Sequence, residues 1–247
     1  MKLKFLIEYD GTGYSGWQIQ KNSKSIQGTI INSIEKIFSV TNGKNVLIDF
    51  QGSGRTDSGV HAFEQAAHLE CETTLAPHIL KMKLNDDLPS SISILEIEKA
   101  DDRFHARHSA KSRQYVYRIS KRKTALGKKY VWWIKDNLDV DKMNKASSLF
   151  PGMHDFRSFS EKFKEDKSTR VFVEWVDIKE ENDFILIRLR ASHFLWKMVR
   201  RIVGVLAEIG RGNLSKKDLS AFLKDYSDIP SKYTAPPSGL FLEKILY

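Results

Sequence analysis

The sequence predicts a mixed α+β fold. Period-two alternation of apolar residues recurs in several short runs, and apolar residues recur at helical spacing in others. No apolar run approaches the length of a membrane span. With 247 residues and 41% hydrophobic content, the chain can bury one large core or two small ones.

Leu3, Phe5, Ile7 and Tyr9 alternate onto one face of an opening strand. Ser25 has the character of an N-cap, and Ile26, Ile30, Ile34, Ile37 and Phe38 follow at helical spacing, which predicts an amphipathic helix over 26–40. The runs 46–50 and 65–70 read as strands on either side of a glycine-bounded loop. Pro77 opens a short helix that ends near Asn85, and 92–98 is another strand. The polar stretch 101–112 predicts a junction between an N-terminal domain, 1–105, and a C-terminal domain, 106–247. In the second domain a strand over 114–120 places Tyr115, Tyr117 and Ile119 on one face. A helix over 141–150 follows, then two β-rich runs, 171–179 and 184–191. Leu195, Met198, Val199, Ile202, Val203, Leu206 and Ile209 form one stripe and predict the most strongly amphipathic helix of the chain. Ser215 with Asp218 has the spacing of a capping box opening a further short helix. Pro236-Pro237-Ser238-Gly239 leads into a final strand over 240–247.

Forty basic residues against 31 acidic ones give a net charge of +9. A polyanionic partner gains from such a surplus through counterion release. Between Lys111 and Lys129 lie eight Lys or Arg residues and no acid, with Tyr115, Tyr117 and Tyr130 interleaved or adjacent. Cations for phosphates and aromatic faces for bases are what a single-strand or loop RNA site requires, although a solvated basic face has the same composition. The single cysteine, Cys71, excludes an internal disulfide, and Met1 leads directly into strand-like sequence with no signal-peptide pattern. A cytoplasmic location away from any membrane is expected.

The most informative segment for chemistry is Gly54-Arg55-Thr56-Asp57-Ser58-Gly59-Val60-His61. Gly54 and Gly59 tolerate positive φ, so a sharp turn can point Asp57 outward with Arg55 nearby. A neighbouring cation favours the ionised carboxylate, and a fixed ionised carboxylate can act as a nucleophile. A turn in which Asp57 merely bonds its own backbone fits the same residues. Gly11-Thr12-Gly13-Tyr14-Ser15-Gly16 fits G-x-G-x-x-G after a strand, but helical periodicity begins only at Ser25 and no parallel βαβ series follows. A glycine-rich turn is therefore expected rather than a dinucleotide site. The seven histidines are scattered and no metal-ligand spacing occurs; His61 and His193 read as hydrogen-bonded structural residues. No G-x-S-x-G elbow is present. Asp57 remains the catalytic candidate, with no metal and no cofactor expected. Tyr115, on a strand beside basic residues, is either core or functional. Arg200, in the middle of the most apolar helix, either snorkels to the surface or pairs with a carboxylate such as Asp57.

Several motifs in order carry a family resemblance. They are Tyr9–Gln18, Ile26-Gln27-Gly28, the Gly54–His61 loop, Phe104-His105-Ala106-Arg107, Arg113–Tyr117, His154–Phe159, Met198–Gly204 and Thr234–Leu240. The chain resembles, from end to end, the bacterial tRNA pseudouridine synthase A (TruA) family. The resemblance implies a pseudouridine synthase fold: two ferredoxin-like or RRM-like α/β halves with mixed, largely antiparallel sheets around a basic cleft, in a homodimer. It implies isomerisation of uridines 38, 39 and 40 in the tRNA anticodon stem-loop. It makes Asp57 the catalytic aspartate, Tyr115 the tyrosine on the target uracil, Arg200 the arginine paired with the aspartate and Arg55 the residue beside the flipped nucleotide. Ser58 stands where the family commonly has alanine. A noncatalytic RNA-binding module on this fold, or a synthase of another RNA, are the alternatives.

Overall fold

Alternation in the first residues becomes β1 (Lys2–Tyr9), whose Leu3, Phe5, Ile7 and Tyr9 are all buried. The computed structural model describes residues 1–161 and 168–247, and these group into two compact units. The first comprises Met1–Lys111 together with Leu242–Tyr247; the second is Ser112–Phe241.

In the first unit, α1 (Ile26–Val40) starts where Ser25 accepts a hydrogen bond from Gly28 N–H at 3.2 Å. Ile26, Ile30 and Ile34 are fully buried along one face. Each such side chain contributes about 1.5–3 kcal/mol on burial, so packing rather than intrinsic propensity holds this isoleucine-rich helix. There follow β2 (Val46–Gly52), β3 (His61–Glu72), α2 (Pro77–Asp87) and β4 (Ile92–Lys99). All their pairings are antiparallel, in the order β4-β1-β3-β2. With its β-α-β-β-α-β succession this unit is ferredoxin-like. Where the β1–β4 register skips Leu95, Asn85 of α2 bonds both backbone groups of Ile94, at 2.7 and 2.9 Å. The last strand, β10 (Leu240–Leu246), lies beside β3.

The second unit holds β5 (Ser112–Ser120), β6 (Trp132–Trp133), α3 (Val140–Ser147), β7 (Gly152–Asp155), β8 (Arg170–Glu181), β9 (Phe184–Ala191), α4 (Met198–Arg211), α5 (Lys216–Lys224) and α6 (Ile229–Lys232). Its strands run β5-β9-β8-β7, all antiparallel, with β6 added in parallel to β5. α4 is buried along its length except at Arg200 and Arg211, and it packs on α3 and α6. Ser215 and Asp218 form both bonds of a capping box at the start of α5.

Three expectations are corrected. The apolar stripe begins at Leu195, but α4 begins at Met198, because Lys197 adopts a left-handed conformation with φ 61°. The helix expected over 141–150 ends at Ser147, and the chain then turns into the unanticipated edge strand β7. β3 starts four residues before its apolar run, directly after the candidate loop. Among the described residues no helix is long and apolar enough to cross a membrane.

Candidate active site

The segment 53–60 joins β2 to β3, and buried polar groups hold it at both ends. Ser53 N–H donates to Ala66 O at 2.8 Å and its hydroxyl to Gln65 Oε1 at 2.7 Å. Gln65, wholly buried, donates from Nε2 to Gly54 O at 3.0 Å. Tyr9 and Thr56 share a buried hydroxyl–hydroxyl bond of 2.8 Å. Burial pushes the Tyr9 phenol well above its ordinary range, so it stays a neutral hydroxyl. Val60 N–H donates to Asp57 O at 3.1 Å and closes a tight turn over Gly59, whose φ is +75°. Gly54, by contrast, is not among the positive-φ residues, and a Cβ there would touch nothing within 4 Å. Only one of the two flanking glycines therefore uses its conformational freedom.

The glycine-rich turn after β1 packs against this loop by backbone approach. Gly16 has φ +96°, and a Cβ on it would stand 2.5 Å from Thr56 O and 3.1 Å from the Asp57 carbonyl carbon. A Cβ on Gly11 would lie 2.1 Å from Val60 O. Trp17 N–H donates to Thr56 O at 3.1 Å, and Ser58 Oγ donates to Tyr14 O at 2.9 Å. The hydroxyl at position 58 thus adds a tether between loop and turn that an alanine cannot make. His61, 1% exposed, accepts Gly11 N–H on Nδ1 at 3.1 Å. Arg55 is exposed and donates from Nε to Gln18 Oε1 at 3.0 Å. Asp57 sits half-buried at the tip of a loop whose backbone is fixed from two sides.

Tyr115 and Arg200 belong to the second unit. Tyr115 is 9% exposed on β5, opposite Leu189, with Phe194 edge-on at 5.0 Å and 84°. Arg200 lies in the first turn of α4, not its middle, because the helix starts late. Its Nε donates to Ala235 O at 2.7 Å, and its own carbonyl accepts Ala235 N–H at 3.0 Å. One turn on, a Cβ on Gly204 would stand 1.5 Å from Tyr233 O, so only glycine admits the 233–235 segment along this face. Glu161 accepts from Lys197 at 3.1 Å and pairs with the buried Arg201, bracing a helix start that has no side-chain cap.

The basic run is partly neutralised. Lys121 pairs with Glu180 and Arg122 with Asp183, each at 2.5 Å. Trp132 packs edge-on to Tyr117 with the Arg211 guanidinium over its ring, whereas Trp133 is 43% exposed.

A family model described as tRNA pseudouridine synthase matches residues 6–109 and 146–247. The chain belongs to the tRNA pseudouridine synthase family. Its relatives named tRNA pseudouridine synthase A include the Thermoanaerobacter sp. (strain X514) protein, 38% identical over 98% of both chains. That of Thermodesulfovibrio yellowstonii is 36% identical over the whole of both chains. That of Rhodopseudomonas palustris (strain BisA53) is 39% identical over 100% of this chain and 99% of its own. Among solved structures, an archaeal box H/ACA sRNP Nop10–Cbf5 complex aligns with 95% of this chain and 59% of its own, at TM-score 0.37 and 11% identity, a likeness too distant to bear on the synthase site. As a member of this family the chain is an isomerase. The matched segments contain Arg55, Asp57 and Arg200, while Tyr115 falls between them.

Sequence reading did not anticipate that the buried side chains of Tyr9, Thr56 and Gln65 hold the loop. A signal existed for Gln65, which stands opposite Ile7 of β1, where an apolar residue would be expected on a core strand.

Proposed function

We propose that this protein isomerises uridine to pseudouridine at positions 38, 39 and 40 of the tRNA anticodon stem-loop, with Asp57 as the nucleophile. The observation that supports this reading best is the Asp57 loop itself. A half-buried carboxylate next to Thr56, which is bonded on both its carbonyl and its hydroxyl, supports the reading that the loop presents a nucleophile from a fixed backbone.

In the reaction the C1′–N1 bond breaks, the uracil turns, and a C1′–C5 bond forms. The proton lost from C5 is matched by one gained at N1, so the isomerisation is redox-neutral and consumes no co-substrate. Reaching a base inside the anticodon arm requires extruding it, at a cost of about a few kcal/mol. We assign Arg55 to the vacated position beside the flipped nucleotide and Tyr115 to the face of the target uracil, where stacking contributes about 1–3 kcal/mol. Arg200 is assigned as the cation that keeps the catalytic carboxylate ionised. The working form is a cytoplasmic homodimer; sedimentation at micromolar concentration showing only monomer contradicts that part.

Mapping pseudouridine in a bulk tRNA pool lacking it, after incubation with the purified protein, tests the whole reading. Modification confined to positions 38–40 is the expected result. Modification elsewhere identifies a synthase of another RNA site, and binding without modification identifies an RNA-binding module.

A further inference from the structure

Arg55 is exposed, yet its guanidinium is rooted in the core through two glutamines. Arg55 Nε donates to Gln18 Oε1 at 3.0 Å, and Gln18 Nε2 donates to Gln27 Oε1 at 2.9 Å. Gln27 Nε2 donates to Phe50 O at 2.8 Å. Gln27 is 6% exposed and Phe50 2%. The same Gln27 Oε1 also accepts Ile19 N–H at 3.1 Å.

The direction of this chain is dictated from its buried end. Phe50 O can only accept, so Gln27 must turn its NH2 toward it; Ile19 N–H can only donate, so Gln27 must turn its oxygen toward that side. Gln18 then has to present its NH2 to Gln27, which leaves its oxygen facing outward. An outward acceptor suits a guanidinium, which only donates. Flipping either amide would leave a buried donor facing a donor, or an acceptor facing an acceptor.

We infer that Gln18 is a positioning residue for the known family reaction, presenting a polarity-fixed acceptor that orients Arg55, with Gln27 as its buried root. The inference deepens the proposed role of Arg55 in base extrusion and rests on it for its catalytic consequence. It also gives the Tyr9–Gln18 motif a second task besides holding the loop backbone. A long cation must otherwise be ordered at the moment of extrusion, which costs conformational entropy; the relay orders it beforehand.

The test uses Gln18→Met, which removes the acceptor, and Gln18→Glu, which restores one toward Arg55. Both are compared by the ¹⁵N relaxation of Arg55 Nε–H and by turnover on tRNA. Gln18→Met should mobilise the Arg55 Nε–H and lower kcat by about three- to tenfold with little change in tRNA affinity. Gln18→Glu should restore the ordering of Arg55 but only part of the turnover, because its second oxygen then faces the Gln27 oxygen. The double variant Gln18→Met, Arg55→Ala should be no worse than Arg55→Ala alone. An Arg55 Nε–H equally ordered in Gln18→Met, or losses that multiply in the double variant, overturns the relay. Full turnover in Arg55→Ala removes instead the extrusion role, and the relaxation of the Arg55 signal then decides the relay by itself.

Discussion

A Cβ on Gly16 would stand 2.5 Å from the carbonyl oxygen of Thr56, the residue immediately before the proposed nucleophile. Gly16→Ala is therefore disfavoured twice. Its φ of +96° is strained for any L side chain, by about 1–2 kcal/mol, and the methyl group must push the Thr56–Asp57 backbone away. A 1 Å misplacement of a reacting group costs on the order of a hundredfold in rate. Turnover should thus fall by far more than the modest loss of thermal stability suggests. A melting curve and a single-turnover assay on the same preparation check this, and wild-type turnover would show that the loop tolerates displacement.

The basic run should behave as less than the sum of its charges. Lys121 and Arg122 already have Glu180 and Asp183 as partners, so each must exchange one anion for another to reach a phosphate. Each independent phosphate contact contributes about 0.7–0.9 to the slope of log K against log salt. Replacing Lys121, Arg122 and Lys123 together by alanine should weaken tRNA binding and flatten that slope by closer to one contact than to three. A change approaching three contacts would mean that the two acids give up their partners freely.

Stability should decline on mild acidification. The His68 and His105 imidazoles are both held below their ordinary pKa, first by burial and then by the neighbouring imidazole, His105 for His68 and His108 for His105. Lys2 acts in the same direction on both, while Asp49 opposes it on both and Glu70 on His68. The rings lie tilted against one another, with centroids 4.6 and 4.3 Å apart, and His68 Nδ1 accepts Ala106 N–H at 3.2 Å, which requires that nitrogen to carry no proton. A lowered folded-state pKa means the unfolded chain binds protons more readily, so stability is intact above about pH 6.5 and is lost as pH falls below it. Melting temperatures from pH 7.5 to 5.5 should fall, and His68→Gln should flatten the fall. An identical pH dependence in the variant would place the titration elsewhere.

Where the sequence could be read, the information was local. Ser25 and the 26-30-34-37-38 spacing define α1 within one stretch of chain, and Ser215 with Asp218 define the start of α5 in the same way. β7 and α6 have four residues each, too few to display a period, and β7 is an edge strand. Leu195 continues the apolar stripe of α4 although the backbone is not yet helical there, because periodicity registers which side chains are apolar and not where Lys197 turns left-handed. That single residue moved Arg200 from the middle of the helix to its first turn. In the candidate loop, Asp57 and its glycines were visible as a motif. The reason for Gly16 was not, since it contacts Thr56 from forty positions away, and neither was the amide chain through residues 18, 27, 50 and 55.

The central claim is that the Asp57 carboxylate attacks the substrate. Asp57→Asn keeps the size and most of the hydrogen-bonding capacity of the side chain while removing its negative charge. The most direct measurement is pseudouridine formed on tRNA by this variant at long incubation times, with tRNA affinity determined in parallel. The account predicts no pseudouridine at any time and binding at least as tight as that of the parent, since a negative charge near the phosphates has gone. Pseudouridine formation by Asp57→Asn at the parent's rate would contradict it.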